Sequence, residues 1–106
     1  MRILIIDLEA TCWENASREQ RNDMETIEIG CAVVEPYTMK LLHEIDIIVK
    51  PAFHPKLTNF CTELTSITQE MVDELDGLYG KVNPAESFYT LRDAWHVIRG
   101  YVQGDK

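Results

Sequence analysis

Residues 3–13 read I-L-I-I-D-L-E-A-T-C-W, four apolar side chains followed at once by two carboxylates. The run at residues 2–6 is continuous rather than alternating, the pattern of a strand covered on both faces at the centre of an α/β sheet. Asp7 and Glu9 stand two residues apart, and side chains at that spacing project from one face of a strand. Two carboxylates held together repel unless a cation intervenes, and oxygen donors of this kind suit Mg²⁺ or Mn²⁺. A bare D-x-E is short and common, so the pair alone also describes an ordinary solvated strand end.

Outward from this stretch, residues 13–25 are polar and mixed in charge without useful periodicity, which predicts a long mobile loop. Residues 26–35, T-I-E-I-G-C-A-V-V-E, alternate at first, with Ile27, Ile29 and Cys31 on one face of a second strand. Pro36-Tyr37-Thr38-Met39 carries turn chemistry. A third strand over residues 40–50 alternates cleanly: Ile45, Ile47 and Val49 on one side, Glu44, Asp46 and Lys50 on the other. One solvated face suggests a strand nearer a sheet edge, and the tight link implies an antiparallel hairpin.

Residues 57–64 predict a short helix, and Thr68 caps a second one that Gly77 ends. Asn83-Pro84-Ala85-Glu86 reads as a strong helix start, with Asn as cap and Pro at the first helical position. Phe88, Leu91, Trp95, Ile98 and Val102 then recur at steps of three and four, predicting the buried face of one helix over residues 84–102. Arg92, Asp93, His96 and Arg99 lie off that stripe.

The bulk properties narrow the function class. A chain of 106 residues holds one domain at most. Its formal net charge of −8 disfavours binding phosphate backbones through a basic patch. Clustered carboxylates with a divalent metal can invert that field locally, so a nucleic-acid enzyme stays open. No apolar run approaches the roughly 18–20 residues needed to span a bilayer. The N-terminus lacks the pattern of a secretory signal, which leads us to expect a cytoplasmic protein. Cys12, Cys31 and Cys61 are odd in number and widely spaced, unlike a disulfide framework or a zinc knuckle.

Four segments occur in a fixed order: I-D-L-E-A-T-C-W, E-T-I-E-I-G-C-A-V-V, V-K-P and F-C-T-E-L-T-S-I-T-Q-E-M-V-D. Together they resemble the DEDDh family of 3′→5′ exonucleases, in particular the branch containing KapD and the histone-mRNA and small-RNA exonucleases. The resemblance implies an α/β, ribonuclease-H-like fold. Here it would be partial: a three-stranded antiparallel portion, then short helices and one long helix. It implies that Asp7 and Glu9 match the first two metal-binding carboxylates of a site for Mg²⁺ or Mn²⁺, which holds two metals when complete. Leu8, Ala10 and Thr11 would face the terminal nucleotide of a single-stranded nucleic acid 3′ end. Leu64 and Thr65 match a loop lining the nucleotide pocket, and Phe60 or Ile67 is a candidate wedge for the terminal base. Ser66 stands where the family usually has Gly, and a positive φ there strains Ser.

The resemblance covers residues 1–106 as the N-terminal part of a single exonuclease domain, about half of it. The third carboxylate, the histidine general base and the fourth carboxylate are not matched. Asp93, Asp105, His43, His54 and His96 do not occupy those positions. The chain alone is therefore expected to be inactive. A non-catalytic relative that works as an assembly module is the alternative. The first strand has only one evident neighbour, and a buried-type strand with one open side exposes a row of unpaired N–H and C=O groups. A dimer, or a complementary C-terminal fragment, could pair there.

Overall fold

The computed structural model describes residues 1–82 and 86–104. Three long antiparallel strands dominate it: β1 (Ile3–Ala10), β2 (Thr26–Glu35) and β3 (Lys40–Val49). The β2–β3 turn forms where Pro36 and Thr38 predict it. The Glu35 carboxylate accepts from the N–H groups of Tyr37 and Thr38 at 2.9 and 2.8 Å, which closes the hairpin.

The sheet has five strands rather than three. β4 (Gly80–Val82) pairs with β3, and β5 (Glu86–Phe88) pairs with β4, in the order β1-β2-β3-β4-β5. β3 is thus an interior strand, although its alternation is as expected: Ile45, Ile47 and Val49 are buried, Glu44 and Asp46 exposed. Gly80 makes this pairing feasible, since a Cβ there would lie 2.8 Å from the Ile48 carbonyl oxygen.

Four helices complete the described chain: α1 (Arg18–Asn22), α2 (Asn59–Thr65), α3 (Gln69–Asp73) and α4 (Leu91–Gln103). α1 lies inside the stretch expected to be a loop. Ser17 and Gln20 form a reciprocal capping box at its start, with bonds of 3.1 and 2.9 Å. Thr58 and Thr68 cap α2 and α3 through the N–H groups of Cys61 and Met71. α3 ends at Glu74, ahead of Gly77.

The long helix starts later than its apolar stripe suggests. The Asn83-Pro84-Ala85 signal lies outside the described residues. Glu86 and Phe88 belong to β5, and Thr90 is the cap of α4, accepting from the Asp93 N–H at 3.1 Å. The buried face of α4 is correspondingly rotated. Ala94 and Ile98 are buried, with Val97, Tyr101 and Val102 packed beside them, while Leu91 and Trp95 are exposed. Trp95 is therefore not a core residue; Phe88 is, but from a strand.

Two apolar clusters hold these layers. Ile29, Cys31, Ile45, Ile47, Val49 and Phe88 pack against Ala94 and Ile98 of α4. Ile27, Leu57, Cys61, Ile67 and Val72 form the second, under α2 and α3. His43 of β3 lies against Tyr101, with ring centroids 4.7 Å apart. The Arg2 guanidinium donates to the Tyr101 carbonyl at 2.7 Å, which ties the start of β1 to the end of α4.

Among the described residues β1 forms one edge of the sheet, and only β2 pairs with it. Far from being buried on both faces, it exposes both: Ile5 is 50% accessible, Ile6 49% and Leu8 55%. The apolar run has the composition of a central strand but holds an edge position.

Candidate active site

The antiparallel register brings Asp7 opposite Gly30 and Glu9 opposite Glu28. Gly30 in turn lies opposite Asp46 on β3. Paired residues share a sheet face, so Asp7, Glu9, Glu28 and Asp46 all emerge on one side. Gly30 leaves an open floor between Asp7 and Asp46, and a shallow groove of about 320 Å³ runs there, lined by Ile5, Asp7, Ala32, Glu44 and Asp46 among others.

Glu28 feels this crowding. Its carboxyl is pushed up to about 7, first by burial, then by a hydrogen bond and charge repulsion from Asp46, then by the charges of Glu9 and Asp7. Sequence reading did not single out Glu28, Gly30 or Asp46 as site residues. The signal was present: if Ile27, Ile29 and Cys31 face inward, then Glu28 and Gly30 must share the face of Asp7 and Glu9.

The other candidate residues divide between wall and frame. Leu8 alternates to the opposite sheet face from Asp7 and Glu9, so only its backbone borders them. Ala10 follows a register shift after Glu9, and its carbonyl accepts from the Cys61 thiol at 3.7 Å. Thr11 is buried; its hydroxyl accepts from the Glu25 N–H at 2.9 Å and its own N–H donates to the Glu25 carbonyl at 2.8 Å. Leu64 is exposed at the end of α2, free to meet a ligand. The Thr65 hydroxyl donates to the Cys61 carbonyl at 2.9 Å and accepts from the Ile67 N–H at 3.1 Å. Of the two wedge candidates, Ile67 is buried core and Phe60 is half-buried.

Ser66 adopts φ 68° and ψ 6° as the C-cap of α2. The position does require the left-handed conformation that favours Gly. Cys12 sits beside the carboxylates, and its thiol is raised to about 11, first by burial, then by Cys61, with Glu9 adding a smaller push. Such a thiol is a poor nucleophile.

The donor set can be tested against a divalent cation. Asp7 and Glu9 are hard oxygen donors on one face beside an open groove, which fits Mg²⁺ or Mn²⁺. Among the described residues no group of three or more His, Cys, Asp or Glu side chains is arranged to hold a metal ion. Asp7 and Glu9 would supply two ligands at most, and a cation held here would need its remaining ligands from water, substrate phosphate or further protein.

Residues 4–99 match the model of the Exonuclease family (RNase_T). This chain belongs to the DEDDh 3′→5′ exonucleases. Among its relatives, human ERI1 exoribonuclease 3 is 41% identical over 70 residues, which is 66% of this chain and 20% of that protein. The 3′-5′ exonuclease Snipper of Drosophila melanogaster is 37% identical over 71 residues, 67% of this chain and 25% of that protein. The nuclease domain of 3′hExo, a DEDDh member solved bound to rAMP, superposes with a TM-score of 0.73 at 26% identity, over 98% of this chain and 44% of that one. A 3′-exonuclease solved in recognition of the histone mRNA stem-loop gives a TM-score of 0.63 at 36% identity, over 68% of this chain and 31% of that one. These exonuclease domains are ribonuclease-H-like, and the family is generally dependent on divalent metal. The chain spans between 10% and 25% of the length of the curated relatives it matches.

Proposed function

We propose that this chain is the N-terminal part of a metal-dependent 3′→5′ exonuclease domain acting on single-stranded nucleic acid ends and releasing nucleoside monophosphates. The observation that carries the reading is the placement of Asp7 and Glu9 together on the face of β1 that borders an open groove, within a segment matching the family. Asp7 and Glu9 would hold Mg²⁺ or Mn²⁺, which supplies charge neutralisation at the phosphodiester and an activated water. Around it, the protein orients the strand end. The backbone at Leu8 and Ala10 and the exposed Leu64 flank the terminal nucleotide, while Thr11 and Thr65 fix the two walls through their hydrogen bonds. RNA is the favoured substrate, because relatives are named exoribonucleases and one neighbour is solved with rAMP.

With two carboxylates only, the chain alone is expected to bind cation and nucleotide but not to turn over. The test is degradation of a 5′-labelled single-stranded RNA with Mg²⁺ or Mn²⁺, beside Mn²⁺ binding measured by calorimetry. The expected result is cation binding lost in Asp7→Ala, with no laddering of the RNA. Robust degradation abolished by Asp7→Ala would mean that this chain is a sufficient enzyme.

A second reading, an assembly module, is favoured by one observation: among the described residues β1 has a single partner strand, and it exposes Ile3, Ile5, Ile6 and Leu8. Strand addition at this edge, by a second copy or by a complementary C-terminal fragment, would cover them. Light scattering after size exclusion decides. A monomer at all concentrations that ignores such a fragment ends this reading.

A further inference from the structure

We propose that Trp13, Phe53 and His54 form a stacking rim for the unpaired bases just upstream of a nucleic-acid 3′ end held at Asp7 and Glu9. This rests on the exonuclease reading above. Trp13 is four residues past Glu9, on the connection that leaves β1. Its indole meets the His54 imidazole edge to face, with ring centroids 5.1 Å apart. Phe53, next to His54 in the chain, is 85% accessible, an aromatic ring left in solvent.

The rim is built rather than incidental. The Glu25 carboxylate accepts from three successive backbone N–H groups, of Ala52, Phe53 and His54, at 2.6, 3.0 and 2.7 Å. The Glu25 backbone is in turn bonded in both directions to Thr11, two residues after Glu9. One residue therefore fixes the loop carrying Phe53 and His54 to the strand end carrying the carboxylates. Beside the rim is a hollow of about 600 Å³ lined by Asn22, Asp23, Met24, Glu25, Phe53 and His54.

Charge identifies how such an occupant would be held. A chain of net charge −8 gains little from phosphate attraction, so affinity for a strand must come from contacts indifferent to charge. Stacking of bases on aromatic rings is of that kind and tolerates any sequence. Glu25 acts as a positioning residue for the loop and does not itself meet the strand.

The test uses the 106-residue chain carrying Trp95→Phe, which leaves Trp13 as its one tryptophan. It is titrated with AMP and with an eight-nucleotide phosphorothioate oligoadenylate in Mg²⁺, followed by tryptophan fluorescence and, for variants lacking Trp13, by calorimetry. We expect the oligomer to quench Trp13 and to bind roughly tenfold or more tightly than AMP, the scale of one or two stacked bases. Trp13→Ala and Phe53→Ala should each lose that advantage and keep AMP binding, and Trp13→Phe should restore most of it. Phe53 is exposed enough that its variant stays folded, so it decides if Trp13→Ala does not. Equal binding of oligomer and AMP by the parent chain overturns the rim and leaves the exonuclease reading standing. Binding of neither overturns both. A steep salt dependence untouched by the aromatic variants assigns the affinity to charge and also overturns the rim.

Discussion

Glu9 on β1 and Glu28 on β2 stand directly opposite each other, two carboxylates in one cross-strand pair. Burial penalises the ionised form of Glu28 most, Asp46 beside it adds to that, and the opposed charge of Glu9 adds a smaller push.

That penalty sets a pH dependence. The folded-state value of Glu28, about 7, lies above its ordinary value of 4.5, so between these the folded chain binds the additional proton. Stability contributed by the protonated group is complete below about pH 4.5 and is lost as pH rises through about 7. Glu28→Gln, which cannot ionise, should flatten this decline in metal-free buffer. Thermal midpoints of the two proteins, compared from pH 4 to 8, should diverge in the variant's favour as pH rises; parallel curves would show that Glu28 is not the cause.

Ser66→Gly should stabilise the chain. An L residue in the left-handed region costs roughly 1–2 kcal/mol, partly offset by the greater freedom glycine has when unfolded. A net gain of about 0.5–1 kcal/mol in a urea melt is the expected result. Ser66→Val should go the other way by a larger amount, because a β-branched side chain fits φ 68° worse still.

Gly80→Ala tests the β3–β4 pairing. The added methyl meets the Ile48 carbonyl at 2.8 Å and the Ile47 side chain at 3.1 Å, and the carbonyl is backbone that cannot swing aside. A loss of about 1–3 kcal/mol is expected. Gly30→Ala is the control, since its nearest neighbour stands 3.5 Å away, at ordinary contact distance.

Cys12 should resist alkylation despite being only half-buried. With its thiol near 11, thiolate at pH 8 is scarce, and iodoacetamide should react on the order of a hundredfold more slowly than with a free cysteine. Mass spectrometry of the chain against time reads this directly. Labelling at the rate of free cysteine would mean that burial beside Cys61 does not hold the proton.

The long strands and the family were legible because both rest on local pattern. The alternation at residues 45–49 survives into the structure unchanged, and the capping threonines Thr58 and Thr68 mark helix starts through bonds made within three residues. What failed depended on distance. The three-residue strands β4 and β5 are too short for any periodicity and exist through pairing with β3 and each other. Once that hairpin claimed Glu86 and Phe88, α4 could begin only at Thr90, whose T-x-x-D spacing to Asp93 was a capping signal overlooked beside the stronger Asn-Pro one. At the candidate site, Asp7 and Glu9 were singled out by their spacing together with the family resemblance, while the placement of Asp46 opposite Gly30 needed the register that the folded sheet supplies.

The bond from Arg2 to the Tyr101 carbonyl has a practical consequence for handling the chain. An arginine side chain reaches roughly 7 Å, about the span of two extended residues. The two ends of the described fold therefore lie within a short linker of each other. Joining them and opening the exposed turn at Tyr37–Met39 should give a circular permutant that folds with β1, its carboxylates and its open edge undisturbed.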